Sequence, residues 1–372
     1  MEQKKRVAYL DMAKGVGILF VVVFHILGSL LTTDPKDFML HVTTYIVTIA
    51  LPIFFIVSGM QDYLGHIENR DVLAVFKKRA KGLLVPYLTF SVISILFTIV
   101  SSTIKSDTFV LSDYYTAIIS FVTLRGFSVY WFLPALLIGG TLFTVILKLP
   151  RLIRRIVYVV MTVAILAVSG VFSKEIWESS LLFYAIGSLL ITAGRSVLAS
   201  CFIWFGYETM GAIEYLEKKG DNEPIFDSKR IVGIDILLGL TLLAVQYFLS
   251  KMVGGTNINY MIFGNSFMFY ASAIVGSMGV ILLLKGMDSI KLLSRNVLST
   301  LKFMGKNSLI IMGTHMDFMV LSVAFFVGYK VAAISPKAKV LVLYLTIALV
   351  VMLLERLWIL IYNKWLGKLI GK

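Results

Sequence analysis

The chain has 372 residues, 58% of them hydrophobic and only 15% charged. A soluble domain carries about 25% charged residues, so a soluble globular enzyme is excluded and a polytopic membrane protein is indicated. The net charge of +14 requires no nucleic-acid partner, because lysine and arginine gather on cytoplasmic loops beside anionic lipid. The single cysteine, Cys201, excludes an intramolecular disulfide.

The first segment follows Lys4, Lys5 and Arg6 and runs apolar for about a full membrane span without a small-residue cleavage site, so it reads as a retained anchor. It contains Asp11, Lys14 and His25. An ionisable side chain in hydrocarbon costs at least about 2.5 kcal/mol, which makes each a candidate functional group. Eleven residues at about 100° each place Lys14 and His25 on one helix face, roughly 16 Å apart along the axis. A cation near one interface and an imidazole deeper in line suit a long anionic cosubstrate with a reactive tip. The plainer reading pairs Asp11 with Lys14 at i,i+3 near the interface.

About ten windows reach the 17–25 residues needed to span the hydrocarbon core. They lie near 10–31, 42–60, 83–104, 129–147, 153–172, 179–198, 231–250, 264–285, 307–329 and 338–361. The region 199–217 reads as an amphipathic surface helix. With the N-terminus in the cytoplasm, inside segments hold roughly 25 of the 35 Lys and Arg. This bias predicts that both termini face the cytoplasm. The polar stretch 217–230 is too short to be a domain, and residues 1–372 are expected to form one membrane domain with no soluble appendage.

In the second window Pro52 allows a kink, and Ser58-Gly59 permits close approach to a neighbouring helix. The segment after it is expected to be a loop carrying Lys77, Lys78, Arg79 and Lys81, with Gly82 leaving room for phosphate oxygens. The fourth window opens with Tyr130-Trp131-Phe132 at a membrane interface, where aromatic residues concentrate. The ninth begins Gly305-Lys306-Asn307-Ser308 and places His315 about two turns inside. No Walker motif, nucleophile elbow or HExxH occurs. The four histidines lie at scattered depths without clustered carboxylates, so no metal site is expected.

These pieces, in order, resemble the acyltransferase 3 family of integral-membrane enzymes that O-acylate sugars and other envelope components. The resemblance is carried by Leu10-Asp11, Lys14 and His25, by Phe54-Phe55-Ile56-Val57-Ser58-Gly59, and by the basic run before Pro86-Tyr87. Trp131-Phe132-Leu133 and Gly305-Lys306-Asn307-Ser308 with His315 complete it. The Asp-Met-Ala-Lys-Gly-Val-Gly-Ile string is similar to the branch with fucose 4-O-acetylase-like proteins. Two positions depart from the family: Lys14 replaces the usual arginine, and Gly82 replaces the second arginine of an Arg-x-x-Arg that begins at Arg79. Lysine keeps the charge but loses the bidentate fork.

The resemblance implies a cytoplasmic acyl-CoA cosubstrate, most often acetyl-CoA, with no tightly bound cofactor. It implies a glycan or lipid-linked sugar as acceptor, at the plasma membrane of a bacterium. His25 and Lys14 would be catalytic. Lys14, Arg79, Lys81 and Ser58 would bind the cosubstrate, and Asp11, Trp131 and His315 the acceptor. The rival expectation is a transporter or flippase for a lipid-linked glycan, with the same polar groups lining a path.

Overall fold

The computed structural model describes residues 7–30, 37–105, 111–172, 177, 179–220, 228–290, 295–316, 318–334 and 339–371. Lys4, Lys5, Arg6 and residues 221–227 of the polar stretch lie outside them. The protein is helical almost throughout, as its apolar composition requires of a chain that must satisfy its own backbone in lipid. The helices are α1 (Ala8–Leu30), α2 (Asp37–Ala50), α3 (Pro52–Leu64), α4 (Val72–Lys105), α5 (Leu111–Val122), α6 (Phe132–Ile146), α7 (Arg151–Ala167) and α8 (Leu181–Gly220). Then follow α9 (Ser228–Lys251), α10 (Ser266–Ile290), α11 (Arg295–Lys306), α12 (Ser308–Thr314), α13 (Val320–Ala332) and α14 (Lys339–Lys364). A small antiparallel hairpin, β1 (Thr256–Asn257) with β2 (Ile262–Phe263), lies between α9 and α10.

Among the described residues, seven stretches are long and apolar enough to cross a membrane, and α6 and α13 are apolar but shorter. The second crossing, His41–Leu64, is broken at Leu51, where Pro52 at the first position of α3 restarts the helix. The ninth window was expected to be continuous. It is instead α12 and α13, separated by a turn in which Met319 takes a positive φ of 60°.

Two further expectations change. The basic run is not a loop: Lys77 to Lys81 form early turns of α4, which continues through Pro86 for 34 residues. Pro86 is the fifteenth residue of α4, so it removes an interior hydrogen bond, and in a membrane bundle neighbours satisfy what it frees. The region 199–217 is not a surface helix either. It is the second half of the 40-residue α8, and Cys201, Phe202 and Ile203 are fully buried.

Paired glycines set two of the closest crossings. A Cβ on Gly59 of α3 would run into the Ile203 carbonyl of α8, and one on Gly206 of α8 would run into the Ile56 carbonyl of α3. Gly15 of α1 meets the Leu301 carbonyl of α11 in the same way, and Gly305 of α11 meets the Asp11 carbonyl of α1. Small residues let membrane helices approach backbone to backbone, where dispersion replaces the missing hydrophobic force. The Ser58-Gly59 and Gly305 pieces of the sequence thus hold α3 on α8 and α1 on α11.

One end of the bundle collects ion pairs: Arg79 with Asp62, Arg154 and Arg155 with Glu208, and Lys285 with both Glu217 and Asp235. The hairpin marks a different region, beside the last residues of α1.

Candidate active site

His25 lies near the C-terminal end of α1 and lines a cavity of about 270 Å³. Val21 and Phe24 of α1, Val47, Ala50 and Leu51 of the α2–α3 break, and Met312 and Met316 around the α12 end complete much of its apolar wall. Both interrupted crossings therefore open onto the same space. The polar wall comes from Ser128, Thr256, Asn257 and Asn259, with Trp131 and Phe132 beside them. The turn before α6 is tightly folded, with positive φ at Leu124, Gly126 and Ser128. A Cβ on Gly126, whose φ is 84°, would strike the backbone of Trp131, so glycine is needed there to place the indole.

His315 does not line this cavity. It is fully buried behind His25, with the two ring centroids 5.2 Å apart. Its Nδ1 lies 2.9 Å from the Ile311 carbonyl, which can only accept, so the Nδ1 proton points into the helix. Its Nε2 has no hydrogen-bond partner. In the neutral ring that atom carries a lone pair. Next to it, Thr314 Oγ1 lies 2.8 Å from both the Ile310 carbonyl and Glu355 Oε2, and the Tyr130 hydroxyl donates to the Gly313 carbonyl at 3.1 Å. Glu355, on α14, is buried, and the sequence does not mark it as a site because it stands beside Arg356 as one of two opposite charges in an apolar run.

A second cavity, of about 660 Å³, lies between the end of α3 and the start of α4. Arg70, Lys78 and Arg79 give it positive charge, Asp62 and Asp71 give negative charge, and Gly82 borders it with open space where a Cβ would stand. Arg79 donates to Asp62 through Nη2, while its Nη1 is buried without a partner. Asp71 is engaged in capping, accepting from the Ala74 amide at 2.8 Å. Lys81 is exposed and outside this lining. Lys78 joins it because Ala74, Val75, Lys78, Arg79 and Gly82 recur on one face of α4, and Arg70 joins it from just before that helix.

Lys14 lines neither cavity. Its Nζ is 2.9 Å from Asp11 Oδ1, an i,i+3 ion pair in which Asp11 is buried and Lys14 is 21% exposed. The structure brings His25, His315 and Trp131 together in one region and Arg79 into another, with Lys14 and Ser58 between. The two cavities share no lining residue. They are joined along α3: Leu51 borders the first and Asp62 the second, eleven residues and roughly 16 Å apart. Leu51, Ser58 and Asp62 fall within about 40° of one another around the helix, so Ser58 marks the middle of a continuous stripe. Gly17 of α1 abuts Ile53 and Phe54 of this helix. The helices run antiparallel, so Lys14 sits about one turn from that contact, near the level of Ser58.

The fold and site define an integral-membrane protein whose broken helices enclose an imidazole pair, with a charged cleft at the far end of the same helix seam. The chain belongs to the acyltransferase 3 family: the family model described as an acyltransferase domain matches residues 7–366. It is a membrane acyltransferase. Neither a curated protein nor a solved structure matches the chain.

Proposed function

We propose that the protein is an O-acyltransferase of the fucose 4-O-acetylase-like kind, at the plasma membrane of a bacterium. In this reading it moves an acyl group, acetyl in the simplest case, from cytoplasmic acyl-CoA to a hydroxyl of an envelope or exopolysaccharide sugar. The observation that carries the reading is His25 facing a cavity of about 270 Å³ with amide, hydroxyl and aromatic groups around it. Aromatic faces and amides are the groups that pack and orient a sugar ring.

The nucleotide phosphates bind among Arg70, Lys78 and Arg79, which give this cavity its positive charge. The pantetheine arm follows the α1–α3 seam past Ser58 and Lys14, a distance on the order of 16 Å. It delivers the thioester to the histidine cavity. His25 accepts the proton of the sugar hydroxyl as its oxygen attacks the thioester carbon. The C–O bond forms, the C–S bond breaks, and the proton passes from the imidazole to the departing thiolate. Asp11 holds Lys14 in place, Trp131 stacks on the acceptor, and His315 supports the His25 ring from behind. An alternative order, in which His25 carries the acyl group first, would be trapped as an acyl-histidine in a single turnover.

A transporter reading has one observation in its favour: irregular backbone at both helix breaks faces the cavity, as substrate sites of transporters do. Proteoliposomes given labelled acetyl-CoA and candidate glycans separate the two. Base-labile label on the glycan, lost in His25→Ala at equal protein level, supports acyl transfer. Glycan that crosses the vesicle without acquiring label sinks it.

A further inference from the structure

The wall of the histidine cavity is backed by two arginines that the proposed reaction does not use. Arg195 on α8 is 3% exposed. Its Nη1 donates to Asn259 Oδ1 at 2.9 Å, its Nη2 to the Arg125 carbonyl at 2.9 Å and its Nε to the Ile191 carbonyl at 3.3 Å. Its guanidinium carbon lies 5.1 Å from the centroid of the Trp131 ring. Arg125 donates from Nη1 to Ser188 Oγ at 3.3 Å and lies over the Tyr184 ring at 4.6 Å. Every one of these partners is neutral. Among the described residues neither arginine is in an ion pair, whereas Arg79, Arg154 and Arg155 each face a carboxylate.

A buried arginine with only neutral partners, held against the backbone of a second arginine inside a membrane protein, is costly, and such groups persist where function uses them. Two of Arg195's partners, Asn259 and Trp131, line the cavity. Because a guanidinium only donates, Asn259 must turn its oxygen to Arg195, which directs its amide N–H groups away from the arginine. Among the described residues no aspartate or glutamate lines the cavity. Among the described residues, the space thus offers hydrogen-bond donors with positive charge behind them and no carboxylate in its wall.

We infer that Arg195, backed by Arg125, is a specificity-determining residue that makes the histidine cavity select an acceptor bearing an anionic group, a carboxylate or a phosphate, close to the hydroxyl that reacts. The inference rests on the reading of this cavity as the acceptor's place. Arg195 acts through Asn259 and Trp131 and across the low-dielectric wall, where a charge is screened far less than in water. It is a positioning residue and does not touch the thioester.

The test measures binding to purified protein, without acyl-CoA, of three probes: a uronate oligosaccharide, the same oligosaccharide with its carboxyl reduced to an alcohol, and a sugar 1-phosphate. The wild-type protein should hold the uronate or the phosphate about tenfold more tightly than the neutral sugar. Which anionic probe wins distinguishes a glycan carboxylate from the phosphate of a lipid-linked sugar. In Arg195→Gln the preference should fall to near unity, and in Arg195→Lys it should survive in part, since charge remains while the fork is lost. A purely structural role would make both variants equally poor for all three probes. Arg125→Gln, at a half-buried position, should shrink the preference even if Arg195→Gln does not fold. Equal wild-type affinity for charged and neutral sugars overturns the inference. Acyl transfer is read separately on the same samples, so anionic preference without transfer would sink the enzymatic reading and leave this one standing.

Discussion

The two cavities are built by opposite means. The histidine cavity lies where helices break, between α2 and α3 and between α12 and α13, and it is walled by aromatic, amide and hydroxyl groups. The basic cavity lies where helices end, and it carries charges of both signs with Arg79 already held by Asp62. Breaking a membrane helix frees backbone groups and exposes irregular chain, which is tolerated only against protein or a polar space. In the proposed reading the chemistry sits at the breaks. A helix end near water costs less to charge, which in the same reading suits it to gripping phosphates that must also be released.

Substitutions can break or sharpen this contrast. The largest effect is expected at His25: His25→Ala should lower kcat by about 10²–10⁴-fold, the usual contribution of a general base, with protein level and acyl-CoA binding unchanged. Rates equal to wild type would remove the histidine cavity from the chemistry. Gly59→Val should separate α3 from α8 and cost on the order of 1–3 kcal/mol, seen as a lower thermal midpoint in detergent. If the midpoint holds, the crossing does not set the spacing between the cavities.

Smaller effects belong to the basic end. Arg79→Ala should raise the KM for acyl-CoA about tenfold while leaving that for the acceptor alone, one charge-assisted contact being lost. An effect on the acceptor KM instead would mean that the two cavities are not divided by substrate. Lys14→Met should slow turnover several-fold, roughly 1 kcal/mol, by leaving Asp11 buried beside no cation, and Lys14→Arg should restore most of it. Steady-state rates for the two variants side by side decide this, since a bystander lysine would show neither loss nor rescue. Lys81→Ala is expected to change the KM for acyl-CoA by less than about twofold, because its side chain is exposed outside the cavity lining. A tenfold rise there would bring the α4 surface into the cosubstrate site.

Much of the fold was legible in residue order. The apolar windows recur as helices, Pro52 marks a break, and the Ser58-Gly59 and Gly305 positions mark close crossings. The extension of α8 through 199–217 was not legible, since a stretch with scattered polar groups reads alike on a surface and in a bundle. The ninth window also misled: Thr314-His315-Met316 suits a helix, and only packing against α14 and α1 turns it into a break. For the site, the i,i+3 pairing of Asp11 with Lys14 follows from helix geometry alone. The contact of His25 with His315 does not, because 290 residues separate them and no local rule couples their depths. Arg195 stands in the sequence as one more cation of a basic protein, with nothing local to set it apart.

What residue order determined is whatever depends on one helix at a time: that the chain must be helical in lipid, and which side chains share a stripe. A periodicity of about 3.6 residues and the penalty for an unsatisfied backbone suffice for both. Which stripes face each other was decided only in three dimensions. Crossings between helices are governed by side-chain shape and backbone approach over long separations, and these put one imidazole against another and, among the described residues, set a guanidinium against neutral partners behind the same wall.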